Sequence, residues 1–318
     1  MNERGVLMGE LRKDYVLDRW VIVSTSRAQR PHELQKSVTK QKGVCYFCPG
    51  NEGSTPPEIG RIVKNGSWQL RWFENKFAAL SPEGSPVPKT DNRFYTHGSA
   101  YGYHEVLVET PRHDKQLSQL SAEEIEEVLH AYARRIVELE KKPNIKYVNV
   151  FKNHGYLGGT SIVHSHSQIM ATALMPPEIE AKLSAMRKFI SCPYCAVIRS
   201  ESTSGRKCFE NDDFIAFAPY ASRFNYEIWV FPKQHIPRME DVNLASLAEI
   251  VRKALKKVYE ANLDYNLLVQ YGPKGEDFHF HIEICPRSAI WAGFEFNSGI
   301  VINSVSPEDA AKFYRGEL

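Results

Sequence analysis

The chain has 318 residues, 42% of them hydrophobic and 25% charged, and 40 Lys and Arg stand against 38 Asp and Glu for a net charge of +2. That length suits about two domains with cores of their own, and that composition excludes a disordered or fibrous chain. Near-balanced charge removes the footprint of a dedicated nucleic-acid binder. No apolar run approaches the ~18 residues of a membrane span, and residues 1–14 lack a signal peptide's apolar core. A soluble cytoplasmic protein with no nucleic-acid or membrane partner is expected.

In chain order, the first half opens with Cys45-x-x-Cys48 and the loop-like Pro49-Gly50-Asn51-Glu52-Gly53. Phe73-Glu74-Asn75 then leads an apolar stretch to Pro82, and a strand-like run over 105–108 precedes His113. Ser121 and Glu124 make a capping box, and Ile125, Val128, Tyr132, Ile136 and Leu139 recur at helical spacing until Pro143. A strand-like run at 147–151 leads to Gly155, Gly158, Gly159, Thr160 and Ser161. A strand over 162–170 follows, and alternation places His164, His166 and Gln168 on one of its faces.

The second half repeats the order of parts. It runs from Cys192-x-x-Cys195 through Phe209-Glu210-Asn211, an apolar stretch to Pro219 and a strand over 227–230 to His235. A helix capped by Asn243 carries the stripe Leu244, Leu247, Val251, Ala254 and Val258, and a strand over 266–270 leads to His279-x-His281. In both halves a glutamate, Glu105 or Glu227, precedes the histidine by eight residues. Arg134, Arg135, Arg252, Lys253, Lys256 and Lys257 read as the solvated faces of the two helices. Strands on either side of a helix, with turn signals between, predict an α+β fold of antiparallel sheets with helices on one face. The boundary between halves is expected near 176–190, after Pro176-Pro177, giving units 1–180 and 181–318.

Four of the six cysteines form the two C-x-x-C pairs. In a cytoplasmic chain such pairs are metal ligands or redox dithiols more often than disulfides. A redox pair belongs at a strand-to-helix junction, whereas loop-like sequence follows both pairs here, including a Ser/Gly-rich patch at 200–205. Metal binding is favoured, and tetrahedral zinc asks for four N or S ligands. The first set is Cys45, Cys48, His113 and His164; the second, by the repeat, is Cys192, Cys195, His235 and His279. Within each H-x-H the ligating histidine stays open. Four protein ligands leave no position for a reactive water, so both zinc sites are expected to be structural. With His164 tied to metal, His166 keeps a free imidazole beside a glycine loop whose N–H groups can approach phosphate oxygens. That combination predicts a phosphoryl-transfer site.

The run His164-Ser165-His166-Ser167-Gln168 resembles the H-x-H-x-Q motif of the galactose-1-phosphate uridylyltransferase family, in the histidine-triad superfamily. The likeness extends over Arg27 and Arg30, the C-Y-F-C with Pro49-Gly50-Asn51-Glu52, Glu74-Asn75-Lys76-Phe77, His113, Phe151-Lys152-Asn153, Pro232-Lys233-Gln234-His235 and Gly293-Phe294-Glu295. The resemblance implies two tandem histidine-triad-like domains, each with a zinc site. It also implies a ping-pong reaction in which His166 takes a uridylyl group from UDP-glucose and passes it to galactose 1-phosphate. Asn75, Asn153, Gly159, Thr160, Ser161 and Gln168 would line the nucleotide and phosphate site. Arg27 and Arg30 would reach the pyrophosphate across a homodimer interface, and Phe294 and Glu295 would sit near the sugar.

Gln168 stands where histidine-triad hydrolases have a third histidine. An amide donates a hydrogen bond but exchanges no proton near neutrality, which favours transfer over hydrolysis. Glu283 holds the equivalent place in the second half, whose His279 and His281 read as a retired copy. The serines at 165 and 167 also resemble ADP-glucose phosphorylase-like relatives, which pass an adenylyl group to phosphate. Members with an iron-type second site carry a glutamate where this chain has Lys182, so zinc on Cys192 and Cys195 is expected instead.

Overall fold

The computed structural model describes residues 9–29 and 43–318. In chain order its strands and helices are β1 (Glu10–Lys13), β2 (Trp20–Val23), β3 (Glu58–Lys64), β4 (Ser67–Glu74), β5 (Lys89–Thr90), β6 (Thr96–His97), β7 (Gly102–Val108), α1 (Ala122–Glu140), β8 (Tyr147–His154) and β9 (His166–Thr172). They continue as α2 (Pro177–Met186), α3 (Pro193–Glu201), β10 (Lys207–Glu210), β11 (Phe214–Phe217), β12 (Ile228–Pro232), α4 (Leu244–Glu260), β13 (Asp264–Gln270), β14 (His281–Arg287), α5 (Gly293–Ser298), β15 (Val301–Asn303) and α6 (Pro307–Arg315).

Local signals set the helix starts. Ser121 Oγ accepts from the Glu124 amide at 3.2 Å while the Glu124 carboxylate accepts from the Ser121 amide at 2.8 Å, so two otherwise unpaired donors are met. Asn243 caps α4 in the same manner, accepting from the Ser246 amide at 3.2 Å. The stripes Ile125, Val128, Tyr132, Ile136 and Leu139 of α1 and Leu247, Val251, Ala254 and Val258 of α4 are buried together against the sheet. Burying each large aliphatic side chain contributes about 1.5–3 kcal/mol, which is what seats both helices on this face.

The main sheet has ten strands in the order β10-β11-β12-β14-β13-β8-β9-β7-β4-β3, every neighbouring pair antiparallel. Each half supplies five strands in corresponding order, and the halves join where β8 meets β13. Asn153 stands opposite Asn266 at that seam, and Phe151 opposite Leu268. The fold is α+β, with α1 and α4 on one face. The other face differs between halves. Over the second half α3 lays Tyr194 5.3 Å from the Phe231 ring and 5.4 Å from that of His281. Over the first half Phe151, Asn153 and Gln168 remain only half-buried.

Four expectations change. The strand expected over 162–170 begins only at His166, so His164 lies in the bend before it, as His279 lies before β14. The second C-x-x-C is not followed directly by a loop: Cys192 caps α3 and Cys195 sits in its first turn. The metal reading there rests on the histidines it meets. Arg135 is not on a solvated face. It is buried, and its Nε and Nη2 donate to Glu105 at 2.8 and 2.6 Å. Finally, Glu105 and Glu227 are not equivalent. Gln168 pairs with Val106 whereas Glu283 pairs with Trp229, so Glu105 corresponds to Ile228 and Glu227 to His104. The link from this strand to its cysteine-facing histidine is one residue shorter in the second half, which shifts the glutamate to the other side of the sheet.

Candidate active site and metal centres

Strand β9 and the loop before it bring His164 to the first cysteine pair. His164 Nδ1 lies 3.6 Å from the sulfurs of both Cys45 and Cys48, and His113 Nδ1 lies 3.4 Å from Cys48 Sγ. In the second half His279 Nδ1 lies 3.7 and 3.6 Å from Cys192 and Cys195, and His235 Nδ1 3.5 Å from Cys195. All four ligand atoms of each group lie within 4.8 Å of one another. A tetrahedral ion with bonds of ~2.3 Å to sulfur and ~2.0–2.1 Å to nitrogen has N···S edges of about 3.6 Å, so the spacing of both groups fits a metal ion. Three of the four remaining ring nitrogens are also committed. His164 Nε2 donates to the Thr110 carbonyl at 2.7 Å, His279 Nε2 to the Pro232 carbonyl at 3.0 Å and His235 Nε2 to Asp277 at 2.7 Å. Each leaves Nδ1 to face the cysteines. This selects His164 and His279 within their H-x-H pairs. Burial and the neighbouring thiol push Cys48 up to about 11, and burial pushes Cys192 up to about 12, so stable thiolates there require a cation.

His166 turns away from the metal group. Its Nδ1 donates to the His164 carbonyl at 2.8 Å, which leaves the lone pair on Nε2. Burial lowers its pKa, reinforced by the nearby Lys152 ammonium, and favours the neutral ring. Phe47, from the cysteine loop, packs edge-on at 5.3 Å from the ring, so the metal loop buttresses the free imidazole.

Gln168, two residues on, is held by a residue that motif reading missed. The Ala79 amide donates to His104 Nδ1 at 3.2 Å, so the proton of the neutral ring sits on Nε2. Nε2 in turn donates to Gln168 Oε1 at 2.8 Å, with the Asn75 amide nitrogen 3.1 Å from the same ring nitrogen. The amide nitrogen of Gln168 is therefore the end that faces away from His104 and can donate to a phosphoryl oxygen. The signal was present in the strand alternation, which places His104 on the same face as Val106 and Val108.

Beneath His166 lies a buried polar group that motif reading also passed over. Lys152 Nζ donates to Glu109 at 2.7 Å, Ser165 Oγ at 3.0 Å and the His166 carbonyl at 3.1 Å. Glu109 further accepts from Ser165, Ser167 and Tyr132. Ser165 and Ser167, at the two variable places of the H-x-H-x-Q run, are thus donors to one carboxylate.

Asn75 Oδ1 accepts from the Phe77 amide at 2.9 Å, and its backbone N–H donates to the His104 carbonyl at 2.7 Å, placing it beside Gln168. Asn153 lies on β8 two residues beyond Phe151, which pairs with Gln168. In the glycine loop the Thr160 amide donates to Gly155 O, and Gly159 and Ser161 are exposed. Arg27 sits in a short turn after β2 and is half-buried; Arg30 lies outside the described residues. Glu295 caps its own helix at the Ala292 amide, and neither it nor Phe294 has a hydrogen bond to His166, Gln168 or Asn153 among the described residues.

In the second half the corresponding place is filled. Lys182 of α2 donates to Glu283 at 2.6 Å and Gln270 at 3.2 Å, and Arg223 donates to Glu283 at 2.7 Å. Phe231 stacks on His281 at 4.4 Å. His281 has no exposed surface, whereas His166 keeps 7% of its own.

The sequence model described as galactose-1-phosphate uridyl transferase, N-terminal domain, matches residues 6–176, and one described only as a domain of unknown function matches 101–313. The chain is 33% identical to an ADP-glucose phosphorylase of Arabidopsis thaliana, over 96% of this chain and 92% of that one. It is 31% identical to a galactose-1-phosphate uridylyltransferase of Thermotoga maritima, over 97% and 98%. Among solved structures, the Arabidopsis thaliana ADP-glucose phosphorylase with bound ADP-glucose superposes with a TM-score of 0.83 at 31% identity, covering 97% of this chain and 99% of that one. A uridylyltransferase structure superposes with a TM-score of 0.76 at 27% identity, covering 97% and 98%. No described helix is long and apolar enough to cross a membrane. With its H-x-H-x-Q strand, paired Cys/His groups and ten-stranded sheet, the chain belongs to the galactose-1-phosphate uridylyltransferase family of nucleotidyltransferases.

Proposed function

We propose that the protein is a UDP-glucose–hexose-1-phosphate uridylyltransferase that works through a covalent uridylyl-histidine at His166. His166 Nε2 attacks the α-phosphorus of UDP-glucose, a P–N bond forms, and the P–O bond to glucose 1-phosphate breaks. A phosphate oxygen of galactose 1-phosphate then attacks the same phosphorus, the P–N bond breaks, and UDP-galactose leaves. Leaving group and acceptor are both phosphate anions, so neither step needs a strong acid or base; stabilising charge on the non-bridging oxygens matters most. Gln168, Asn153, Asn75 and the loop at Gly159, Thr160 and Ser161 supply those donors in this reading. Zinc at Cys45, Cys48, His113 and His164, and at Cys192, Cys195, His235 and His279, holds loops and takes no part in the transfer. Arg27, Arg30, Phe294 and Glu295 complete the site in a cytoplasmic homodimer of units 1–180 and 181–318.

The observation that carries the reading is a histidine whose Nδ1 is tied to a carbonyl, which keeps exposed surface where His281 keeps none, and whose partner two residues on is an amide that cannot shuttle protons. A second reading has the same chemistry with another base and acceptor. The Arabidopsis thaliana relative and its structure favour adenylyl transfer from ADP-glucose to phosphate. Incubation with UDP-glucose or ADP-glucose labelled at the α-phosphorus, with galactose 1-phosphate or phosphate as acceptor, tests both. An acid-labile, base-stable adduct from UDP-glucose that is absent in His166→Ala and discharged by galactose 1-phosphate supports the first. Labelling from ADP-glucose alone, discharged by phosphate, replaces it with the second. Turnover with water alone, or no adduct from either, overturns both.

A further inference from the structure

In the second half His279 and His281 are both fully buried, yet this half grips the glycine loop of the first. Asn266 of β13 donates from Nδ2 to Asn153 Oδ1 and to the Gly158 carbonyl, both at 2.8 Å. These bonds engage both hydrogens of its amide. Its oxygen accepts from Arg287 Nη1 at 2.9 Å, and since a guanidinium has no acceptor, the amide cannot be flipped. Arg287 is itself aimed by the second half: its guanidinium lies 5.0 Å over the Phe224 ring, which stacks on Trp291 at 5.2 Å. Nearby, the Asp264 carboxylate accepts from the Leu157 amide at 2.8 Å. Gly155, at φ +75°, approaches Asp264 so closely that a Cβ would stand 2.0 Å from Oδ1. A Cβ on Gly158 would stand 2.7 Å from the Tyr265 carbonyl oxygen. The loop at 155–159 is seated on β13 at both glycines.

The consequence for the site follows from amide chemistry. Asn153 Oδ1 is occupied by Asn266, so the end of Asn153 left for a ligand is its NH2, on the face that carries Gln168. A negatively charged phosphoryl group asks for a donor there and would be repelled by a carbonyl. We infer that Asn266 and Arg287 are positioning residues for nucleotidyl transfer. Through Asn153 Oδ1 and Gly158 O they set which atoms the loop presents to the transferred phosphoryl group. The half without a usable histidine thereby orients the donors of the half that has one. This rests on nucleotidyl transfer at His166.

The test uses the full-length, zinc-loaded protein and two readouts. Hydrogen–deuterium exchange over 154–161 reports the seating of the loop without any chemistry. Single-turnover labelling by the active nucleotide sugar reports the transfer. Asn266→Asp keeps shape and the contact with Arg287 but removes both donors; Arg287→Ala frees the amide to flip, and Arg287→Lys keeps a donor to it. In Asn266→Asp and Arg287→Ala, loop exchange is expected to quicken and the labelling rate to fall about 10- to 100-fold, the scale set by small misplacements of positioning groups. Zinc content and KM stay near wild type, and Arg287→Lys recovers part of the rate. In an Asn153→Ala background the same Asn266→Asp change should cost much less, because its target is gone. Loop exchange and labelling within about twofold of wild type in both loss variants overturn the inference, and so does full additivity with Asn153→Ala. If the wild type takes no label, the transfer reading fails by itself, and unchanged loop exchange in Asn266→Asp then removes the clamp as well.

Discussion

Lys152→Met should destabilise the protein by an amount that depends steeply on pH. The Lys152 and Glu109 side chains are 1% and 0% exposed and 2.7 Å apart. Burial pushes the Glu109 carboxyl up, but the Lys152 ammonium and the Ser165 and Ser167 hydroxyls outweigh burial and hold it below the usual range. Methionine fills the stem's space without the charge and leaves a carboxylate with neither water nor cation. Removing one partner of such a pair costs about 3–5 kcal/mol. The carboxylate has one escape, which is to bind a proton. Keeping a glutamate protonated at pH 7 against a free value of about 4.3 costs about 3.7 kcal/mol, at ~1.36 kcal/mol per pH unit. That limit falls to about 1 kcal/mol at pH 5.

In the wild type the folded value is depressed, so the pair's stabilisation is present above about pH 4.3 and is lost as pH falls through the folded value. In the variant the folded value is raised, so its penalty grows as pH climbs above about 4.3. Adding ~1 kcal/mol for the lost bond to the His166 carbonyl, the gap should be about 4–5 kcal/mol at pH 7 and about 2 at pH 5. Urea unfolding of both proteins at pH 5, 6 and 7 measures it, and the contributions of titrating groups out of reach of Lys152 cancel in the difference. A gap that is equal at pH 5 and pH 7, or below about 1 kcal/mol at both, refutes this account of the buried pair.

Three further outcomes are expected. Cys45→Ser should remove about one zinc per chain and lower Tm by about 5–10 °C, as a loss of a few kcal/mol does in a chain of this size; metal analysis that finds full zinc takes Cys45 out of the ligand set. Gln168→His restores a group that can exchange protons and should raise hydrolysis relative to transfer at least about tenfold, measured as nucleotide released with and without acceptor; an unchanged ratio contradicts the role given to the amide. His104→Phe keeps the ring's bulk and removes the donor to Gln168 Oε1, so the single-turnover labelling rate should drop about fivefold, the worth of one ~1 kcal/mol hydrogen bond, with zinc content unchanged; a wild-type rate releases Gln168 from its dependence on His104.

The helix caps at Ser121 and Asn243, the strand order of parts and both Cys/His ligand groups were legible in the chain itself, because each depends on short-range spacing or on a repeat. Glu283 in place of Gln168 already marked His279-x-His281 as a retired copy, but the pattern of residue types said nothing of how His166 and His281 differ in space. Their difference lies in what covers them: α3 and Phe231 seal His281 and Lys182 fills the place beside it, contacts that span up to 101 residues of chain. The equivalence of Glu227 with His104 was likewise invisible, because a one-residue change in a loop alters strand register without changing the pattern of residue types. Arg135 read as a surface cation because helical periodicity says which side a residue is on but not whether a buried carboxylate waits there. Local sequence chose the elements and the ligands. Which histidine keeps exposed surface, which end of each amide is already engaged and which charges meet in the core are settled only by residues distant in the chain, since burial and hydrogen-bond direction are properties of neighbours in space.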